Sequence, residues 1–442
     1  MPQVPLEKLT LIAEGKTKLI WRSKEDQEGT VIIESKDDIT AGDGAKHDVI
    51  AGKSKLATQT TCNVFRLLEA CGLPVAFGEQ LDDINFSAPN CDMIPYEVVV
   101  RREAHGSYLK RHPWIEKGHV FPQLIVEFFL KTTDKQWEGQ PIPKDDPLII
   151  FKDGKAELYI PNQPLHAQES FLVLDDYPLL DTNTRSSDYK SFEDAKRALE
   201  NQAAITFLIL EKAWAMAGGR LVDIKFEFGF GPDGSLLLAD VIDNDSWRVI
   251  RDGGYIDKQV YRDGGEINEV TALYQEVAKL TGQFTIPKQS VIVWKGSDRD
   301  DISVFHSTFN ENTLSGGSLK FMGITQSAHK EPAAAYQTLH RLIQEYPDSV
   351  IIAYVGRSNG LGPILAANST VPVIAVPASS QTFPEDIWSS LRTPSDVPLM
   401  TILDPKNAML AALQILAMRN PELYSELRFK QETRFTNLVE IS

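Results

Sequence analysis

Two hydrophobic rhythms divide the chain. In the first half, short extended runs dominate: Leu9 to Ile12, Leu19-Ile20-Trp21-Arg22 and Val31-Ile32-Ile33-Glu34 predict paired strands around a glycine turn. From Lys53 to Leu68 the apolar residues Leu56, Val64, Phe65, Leu67 and Leu68 fall at partly helical spacing, and Gly72 and Pro74 supply the stop. Strand-like segments follow at Glu97 to Val100, Leu221 to Phe228 and Leu236 to Val241. The last two flank Gly231-Pro232-Asp233-Gly234, which predicts a hairpin. Within the first of them, strict alternation sends Asp223, Lys225 and Glu227 to one face and Ile224 and Phe226 into the core. Residues 131–190, rich in Pro, Asp, Lys and Gln, show no sustained period and are expected to be long surface excursions.

Asn268 through Thr281 places Val270, Leu273, Val277 and Leu280 on one helical face, closed by Gly282 and Pro287, and is expected to join two halves. Beyond it the rhythm becomes strand and helix in alternation: strand 290–294, helix about 300–310, strand 319–324, helix 332–345, strand 350–355, helix about 362–368, strand 373–376. That order predicts a parallel, doubly wound α/β sheet with three layers. Three polar loops each follow a strand, so all are expected at the carboxyl edge, where such sheets bind ligands. A last helix at 407–418, with Met409, Leu410, Leu413 and Leu416, fits an assembly face or an ordinary core equally.

Composition narrows the classes. With 442 residues, 42% hydrophobic and 24% charged, the chain can bury two cores of ordinary size. A formal net charge of -16 repels polyanions, which argues against nucleic acid and acidic membranes as partners. Three cysteines, Cys62, Cys71 and Cys91, show no CxxC spacing, and no apolar leader opens the sequence, so a reducing compartment, the cytosol, is expected. No run approaches the roughly 18 apolar residues that span a bilayer.

Candidate chemistry clusters in each half. Glu14-Gly15-Lys16-Thr17-Lys18 can bring two ammonium groups and free backbone amides to a polyphosphate, or be a solvated basic turn. Arg101-Arg102, Gly106-Ser107 and Lys110-Arg111 suit phosphate or carboxylate groups, or a charged helix face. Glu227 and, on the neighbouring hairpin strand, Asp240 suit magnesium, which takes a few carboxylates plus phosphate oxygens; surface salt bridging is the competing reading. Arg248 closes Asp243-Asn244-Asp245-Ser246-Trp247-Arg248.

These segments, with Val222 through Gly229, Ala239 through Arg248 and Asp257-Lys258-Gln259-Val260-Tyr261-Arg262-Asp263, resemble the SAICAR synthetase family of the purine pathway. The resemblance implies an α+β, ATP-grasp-like domain in which ATP activates the carboxylate of CAIR so that L-aspartate can form an amide. It implies ATP contacts from Gly15, Lys16, Lys18, Met93 and Lys225, and magnesium held by Glu227 and Asp240. Arg101, Ser107, Lys110, Arg111, Ser246, Arg248, Lys258 and Arg262 are the substrate-binding residues it implies. The chain departs from the family after Val126 through Leu130, where Lys131-Thr132-Thr133-Asp134 replaces an Asp- and Asn-rich segment.

In the second half, Val291 through Trp294 leads into Lys295-Gly296-Ser297-Asp298-Arg299-Asp300, a turn that directs amides at a phosphate. Ser327-Ala328-His329-Lys330 and Gly356 through Pro363 complete the set, and its glycines permit close backbone approach. These motifs resemble AIR carboxylase of the class fused to SAICAR synthetase in animals, which uses carbon dioxide directly and needs neither biotin nor ATP for that step. The resemblance implies ribonucleotide binding by Ser297 and Asp300, proton handling or charge stabilisation by His329 and Lys330, and carbon dioxide held by Ser358, Asn359 and Gly360. Asp298-Arg299 replaces small hydroxyl residues of the family.

The expected organisation is a synthetase domain at 1–265, a linker helix at 266–284 and a carboxylase domain at 285–442, with AIR, CO2, CAIR and L-aspartate as partners and a homo-octamer as the assembly. Two alternatives compete: a single active ligase with the second half as a scaffold, and a nucleotide-dependent kinase fused to a nucleotide-binding regulatory module.

Overall fold

A computed structural model describes residues 9–24, 29–41, 46–132, 136–137, 140–141, 146–174, 189, 191–313 and 318–434. The chain divides into two compact units: the first runs through Thr285 and resumes at Glu432, and the second is Ile286–Gln431.

In the first unit the three predicted N-terminal strands form as Leu9–Glu14, Lys18–Ser23 and Thr30–Ser35, antiparallel, with Asn85–Pro89 added at the edge. Gly15 turns the first pair, its amide donating to the Lys18 carbonyl. The helix Lys53–Ala70 buries Val64, Phe65, Leu67 and Leu68. A larger sheet is ordered Leu172–Leu174, Lys155–Tyr159, Leu148–Lys152, Val120–Leu130, Asp92–Glu103, Arg220–Phe230, Trp247–Arg251, Gly254–Tyr255, with Leu236–Ala239 paired to Arg220–Phe230 as the predicted hairpin.

Three of these strands correct the reading of residues 131–190. Leu148–Lys152, Lys155–Tyr159 and Leu172–Leu174 extend the main sheet. Each is short and flanked by Pro, Gly or Asp, so none sustains an alternation long enough to be read locally. The rest of that segment lies partly outside the described residues. The helix Phe192–Met216, capped by Ser191 Oγ accepting from the Asp194 amide, buries Leu199, Phe207, Leu208, Leu210 and Trp214. The helix Ile267–Thr281 lies within this unit, where Asn63 Nδ2 donates to Thr281 Oγ1 at 3.3 Å.

The second unit is a five-stranded parallel sheet ordered Leu319–Thr325, Gln289–Lys295, Ser349–Val355, Val373–Pro377, Leu399–Thr401. Its three central strands, Gln289–Lys295, Ser349–Val355 and Val373–Pro377, are buried and mostly hydrophobic, as strands covered on both faces require, whereas the two edge strands are half-buried or exposed. Phe305, Phe309, Met409 and Leu413 pack one face, and Ala335, Leu339, Leu361 and Leu365 the other. Helices form at Ser303–Glu311, Pro332–Glu345, Leu361–Ala367 and Pro405–Ala417, close to their predicted positions, with a further helix at Pro421–Arg434. The sheet reverses its order beside Gln289–Lys295, which makes that edge the topological switch point.

Candidate functional site

The alternation in Arg220–Phe230 places its charges as predicted, but under cover: Asp223 and Glu227 are 3% and 5% exposed. They form the floor of a cavity of about 480 Å³ whose lining includes Lys16, Lys18, Glu97, Arg101, Ser107, Asp223, Lys225, Glu227, Asp240, Ser246, Arg248, Lys258 and Arg262. Segments separated by some 240 residues of sequence thus meet in one polar hollow.

At one end Glu227 accepts from Lys131 Nζ at 2.6 Å and Lys225 Nζ at 3.3 Å, while Lys225 also reaches Glu97 at 2.7 Å. Burial pushes the Glu227 carboxyl up, but Lys225, Lys131 and Lys18 outweigh it and hold it down at about 2. Burial likewise opposes charge on Lys225, yet Glu97 and Glu227 carry its ammonium above the ordinary lysine value. The hairpin register sets Glu227 opposite Ala239; Asp240, next in sequence with φ of 67°, lines the same cavity, and the Lys18 ammonium contacts its carboxylate. Two carboxylates in the lining of a cavity that also carries lysines match the donor preference of Mg2+, which keeps one or two carboxylates and fills its remaining positions with water and phosphate oxygens.

At the other end Asp223 Oδ2 accepts from Arg101 Nη1 at 2.6 Å and Arg248 Nη1 at 2.7 Å. Glu127, on the adjacent strand, accepts from Arg101 Nε at 2.7 Å and Arg111 Nη2 at 2.6 Å. Of these groups only Arg101, Arg248 and Asp223 line the cavity, so at this end two guanidinium groups face it against one carboxylate, a local surplus of positive charge for an anionic ligand. Deeper along the wall, Asp245 accepts from Lys258 Nζ at 2.8 Å and Tyr274 Oη at 2.5 Å. Burial would raise its pKa, but Lys53 and Lys258 hold it well below the usual carboxylate range.

Four sequence-predicted residues do not line the cavity. Arg111 is fully buried, donating also to the Pro161 carbonyl at 2.9 Å, and Lys110 reaches Asn162 Oδ1 at 3.4 Å. Gly15 sits in its turn, and Met93 is 39% exposed. Arg102 of the basic cluster pairs with Glu211 at 2.7 Å instead. Sequence reasoning gave no role to Glu97, Glu127 or Asp245. Glu97 shares the period-two face of Val99 and Arg101 and was readable from that alternation; Glu127 needed the register that sets it against Val99.

In the second unit the three motif loops meet at the carboxyl edge. A Cβ built on Gly360 would fall 2.6 Å from His329 Nε2, and one on Gly356 would fall 3.8 Å from Asp300 Oδ1. Asn359 is locked by its own contacts: its amide donates to Ser389 Oγ at 3.0 Å, its Nδ2 to Ser390 Oγ at 2.9 Å, and its Oδ1 accepts from the Gly362 amide at 2.8 Å. Ser358 adopts a φ of 52° and stays exposed beside it. Ser297, His329 and Lys330 are also exposed, while burial raises the pKa of Asp300. The helix after the first loop begins at Ser303, later than the sequence suggested, so Ser297 through Asp300 form a turn ahead of it, whose Asp300 carbonyl accepts from Lys295 Nζ at 3.1 Å. Ser379, Asp386, Ser389 and Ser390, which support the Gly356–Gly360 loop, carry no local motif.

Comparison with known proteins matches both halves. A family model described as SAICAR synthetase covers residues 11–152 and 173–280, and one described as AIR carboxylase covers 290–436. The chain is 36% identical over 435 residues to the probable multifunctional protein ADE2 of Caenorhabditis elegans, covering 95% of this chain and 93% of that one. It is 34% identical over 444 residues to the bifunctional phosphoribosylaminoimidazole carboxylase/phosphoribosylaminoimidazole succinocarboxamide synthetase of Drosophila melanogaster, covering 97% and 93%. The protein of that same description from Homo sapiens is 32% identical over 434 residues, covering 94% and 92%.

Proposed function

The chain belongs to the family of bifunctional AIR carboxylase/SAICAR synthetases of purine biosynthesis, and on that premise we propose how its own residues divide the work. The second unit carboxylates AIR with CO2 to CAIR, and the first condenses CAIR with L-aspartate at the expense of ATP. The observation that carries the synthetase assignment is that one cavity has lysines at one end and paired arginines at the other.

Lys16, Lys18 and Lys225 take the polyphosphate of ATP, where their charge offsets that of the transferring phosphoryl group. Glu227 and Asp240 hold Mg2+, which when bound neutralises phosphate charge. Arg101, Ser107 and Arg248 bind the ribonucleotide, with Asp223 fixing both guanidinium groups before it arrives, so their orientation is set in advance. Lys258, Arg262 and Ser246 line the remaining wall for the aspartate or ribonucleotide anions. Phosphorylation of the CAIR carboxylate makes it an electrophile; the aspartate amine then displaces phosphate to form the amide.

In the second unit, Ser297 and Asp300 bind the ribonucleotide, Ser358, Asn359 and Gly360 hold CO2, and His329 with Lys330 moves the proton or stabilises the developing charge. Biotin has no role in this reading. The exposure of Ser297, His329 and Lys330 accords with further burial in a homo-octamer, and the enzyme works in the cytosol; among the described residues no helix is long and apolar enough to cross a membrane.

The test is a product assay on the full chain with AIR, bicarbonate, magnesium, ATP and aspartate, beside reactions that begin from CAIR. SAICAR from both starting points is the expected result. SAICAR from CAIR alone would reduce the second unit to a scaffold, and none from either would reject the reading.

A further inference from the structure

Behind the arginine end of the cavity lies a buried polar chain that the reaction as described does not use. Glu103 and His105 are 2% and 3% exposed, and neither they nor Tyr255 line the cavity. His105 Nδ1 is 2.6 Å from Tyr255 Oη, and its Nε2 is 3.3 Å from Glu103 Oε2. Glu103 Oε1 accepts from Arg220 Nη1 at 2.6 Å. One arrangement satisfies every atom with a neutral ring: Nε2–H donates to Glu103, and Tyr255 O–H donates to Nδ1.

This chain is anchored where it can govern the substrate loop. Gly106 follows His105 with φ of 58°, and a Cβ there would fall 2.4 Å from Arg248 Nη2, so the guanidinium rests directly on the Gly106 backbone. Ser107, the next residue, lines the cavity. Tyr255 pairs with Ile250 on the neighbouring strand, two residues from Arg248. The loop is therefore gripped twice by the same pair of strands, at His105 through Tyr255 and at Gly106 through Arg248. Slack at the first grip displaces the backbone against which the second is seated.

We propose that Glu103, His105 and Tyr255 are positioning residues for the synthetase reaction, which set the affinity for CAIR by holding the Gly106-Ser107 backbone against Arg248. The proposal rests on the assignment of Arg101, Ser107 and Arg248 to the ribonucleotide. The lysines assigned to ATP lie at the opposite end of the cavity, so the two substrates separate the effect. The other charged groups facing this chain are Asp223 and Arg248 across the sheet, and Lys117, whose ammonium lies 5.3 Å over the Tyr255 ring.

The experiment is steady-state synthetase kinetics from CAIR on the full chain, with Tyr255→Phe as the primary variant, since it deletes one hydroxyl and keeps the ring, and Glu103→Gln as the second. Loss of one buried hydrogen bond in each should raise KM for CAIR about five- to tenfold, with KM for ATP within about twofold of wild type and kcat little changed. His105→Gln, which keeps one donor and one acceptor, should recover most of the affinity that His105→Ala loses. Unchanged KM for CAIR in both Tyr255→Phe and Glu103→Gln would overturn the proposal. So would equal rises for CAIR and ATP, or loss of kcat alone, since a merely structural role gives those. A wild-type chain that makes no SAICAR from CAIR would instead sink the synthetase assignment on which the proposal rests.

Discussion

Glu127 bridges two buried arginines, and replacing it with glutamine isolates one of them. Arg101 retains Asp223 at 2.6 Å, whereas Arg111, fully buried, retains among the described residues no carboxylate, only the Pro161 carbonyl and the faces of the Tyr108 and Phe129 rings. Among the described residues Arg111 Nε has no hydrogen-bond partner. Glu127→Gln keeps the shape of the side chain and removes its charge, so the dominant cost is an uncompensated guanidinium in the interior, about 3–5 kcal/mol. Arg111→Met alone should cost less, because Glu127 keeps Arg101. In the double variant no cation is stranded, so the combined loss should fall short of the sum by about 1–3 kcal/mol. Because two units are present, the measurement must be local: urea-dependent hydrogen exchange on peptides from Asp92–Glu103 and Val120–Leu130, in the full chain. Additivity within about 0.5 kcal/mol, or a Glu127→Gln cost below about 1 kcal/mol, would refute the stranded-charge argument.

The Glu227 carboxyl, held at about 2 against 4.5 for the free group, contributes stability that is fully present above about pH 4.5 and lost as the pH falls toward 2. That shift is worth about 3 kcal/mol, so Glu227→Gln should be less stable than wild type near neutrality, and a gap that persists at the acid limit in paired unfolding curves would exclude this origin. Gly360→Ala drives a methyl into His329 and should cut carboxylation by more than about tenfold while SAICAR formation from CAIR stays normal; normal AIR carboxylation would show the ring can move aside. Lys330→Ala should abolish carboxylation and spare the ligase, and Asp240→Ala should do the reverse; equal loss of both activities in either variant contradicts two independent sites.

What was legible in the sequence followed from local periodicity. The runs Val291 through Trp294 and Val350 through Val355 are apolar throughout and bounded by turns, and they became central parallel strands. Asp223, Lys225 and Glu227 share a face in the sequence and in the cavity. The three strands within 148–174 escaped because a short strand bounded by Pro, Gly or Asp owes its place to its neighbours, not to its own pattern. Leu399–Thr401 is a three-residue strand that escaped for the same reason. Not every counterion was legible: Glu127 and Asp245 become meaningful only when the fold sets them against residues distant in sequence, Arg101 and Tyr274. Arg111 shows the converse, a basic residue in a promising motif whose charge is consumed by the interior.

The division into two compact units has a genetic consequence. A lesion at Asp240 and one at Lys330 fall in different units, so each mutant chain keeps one half intact. A diploid cell carrying one allele of each kind should make purines, although neither allele supports growth alone, because CAIR released by one chain can be taken up by the other. A selection for purine prototrophy among crossed auxotrophs would then sort this gene's alleles into two complementing groups, with the border of the groups falling near Thr285.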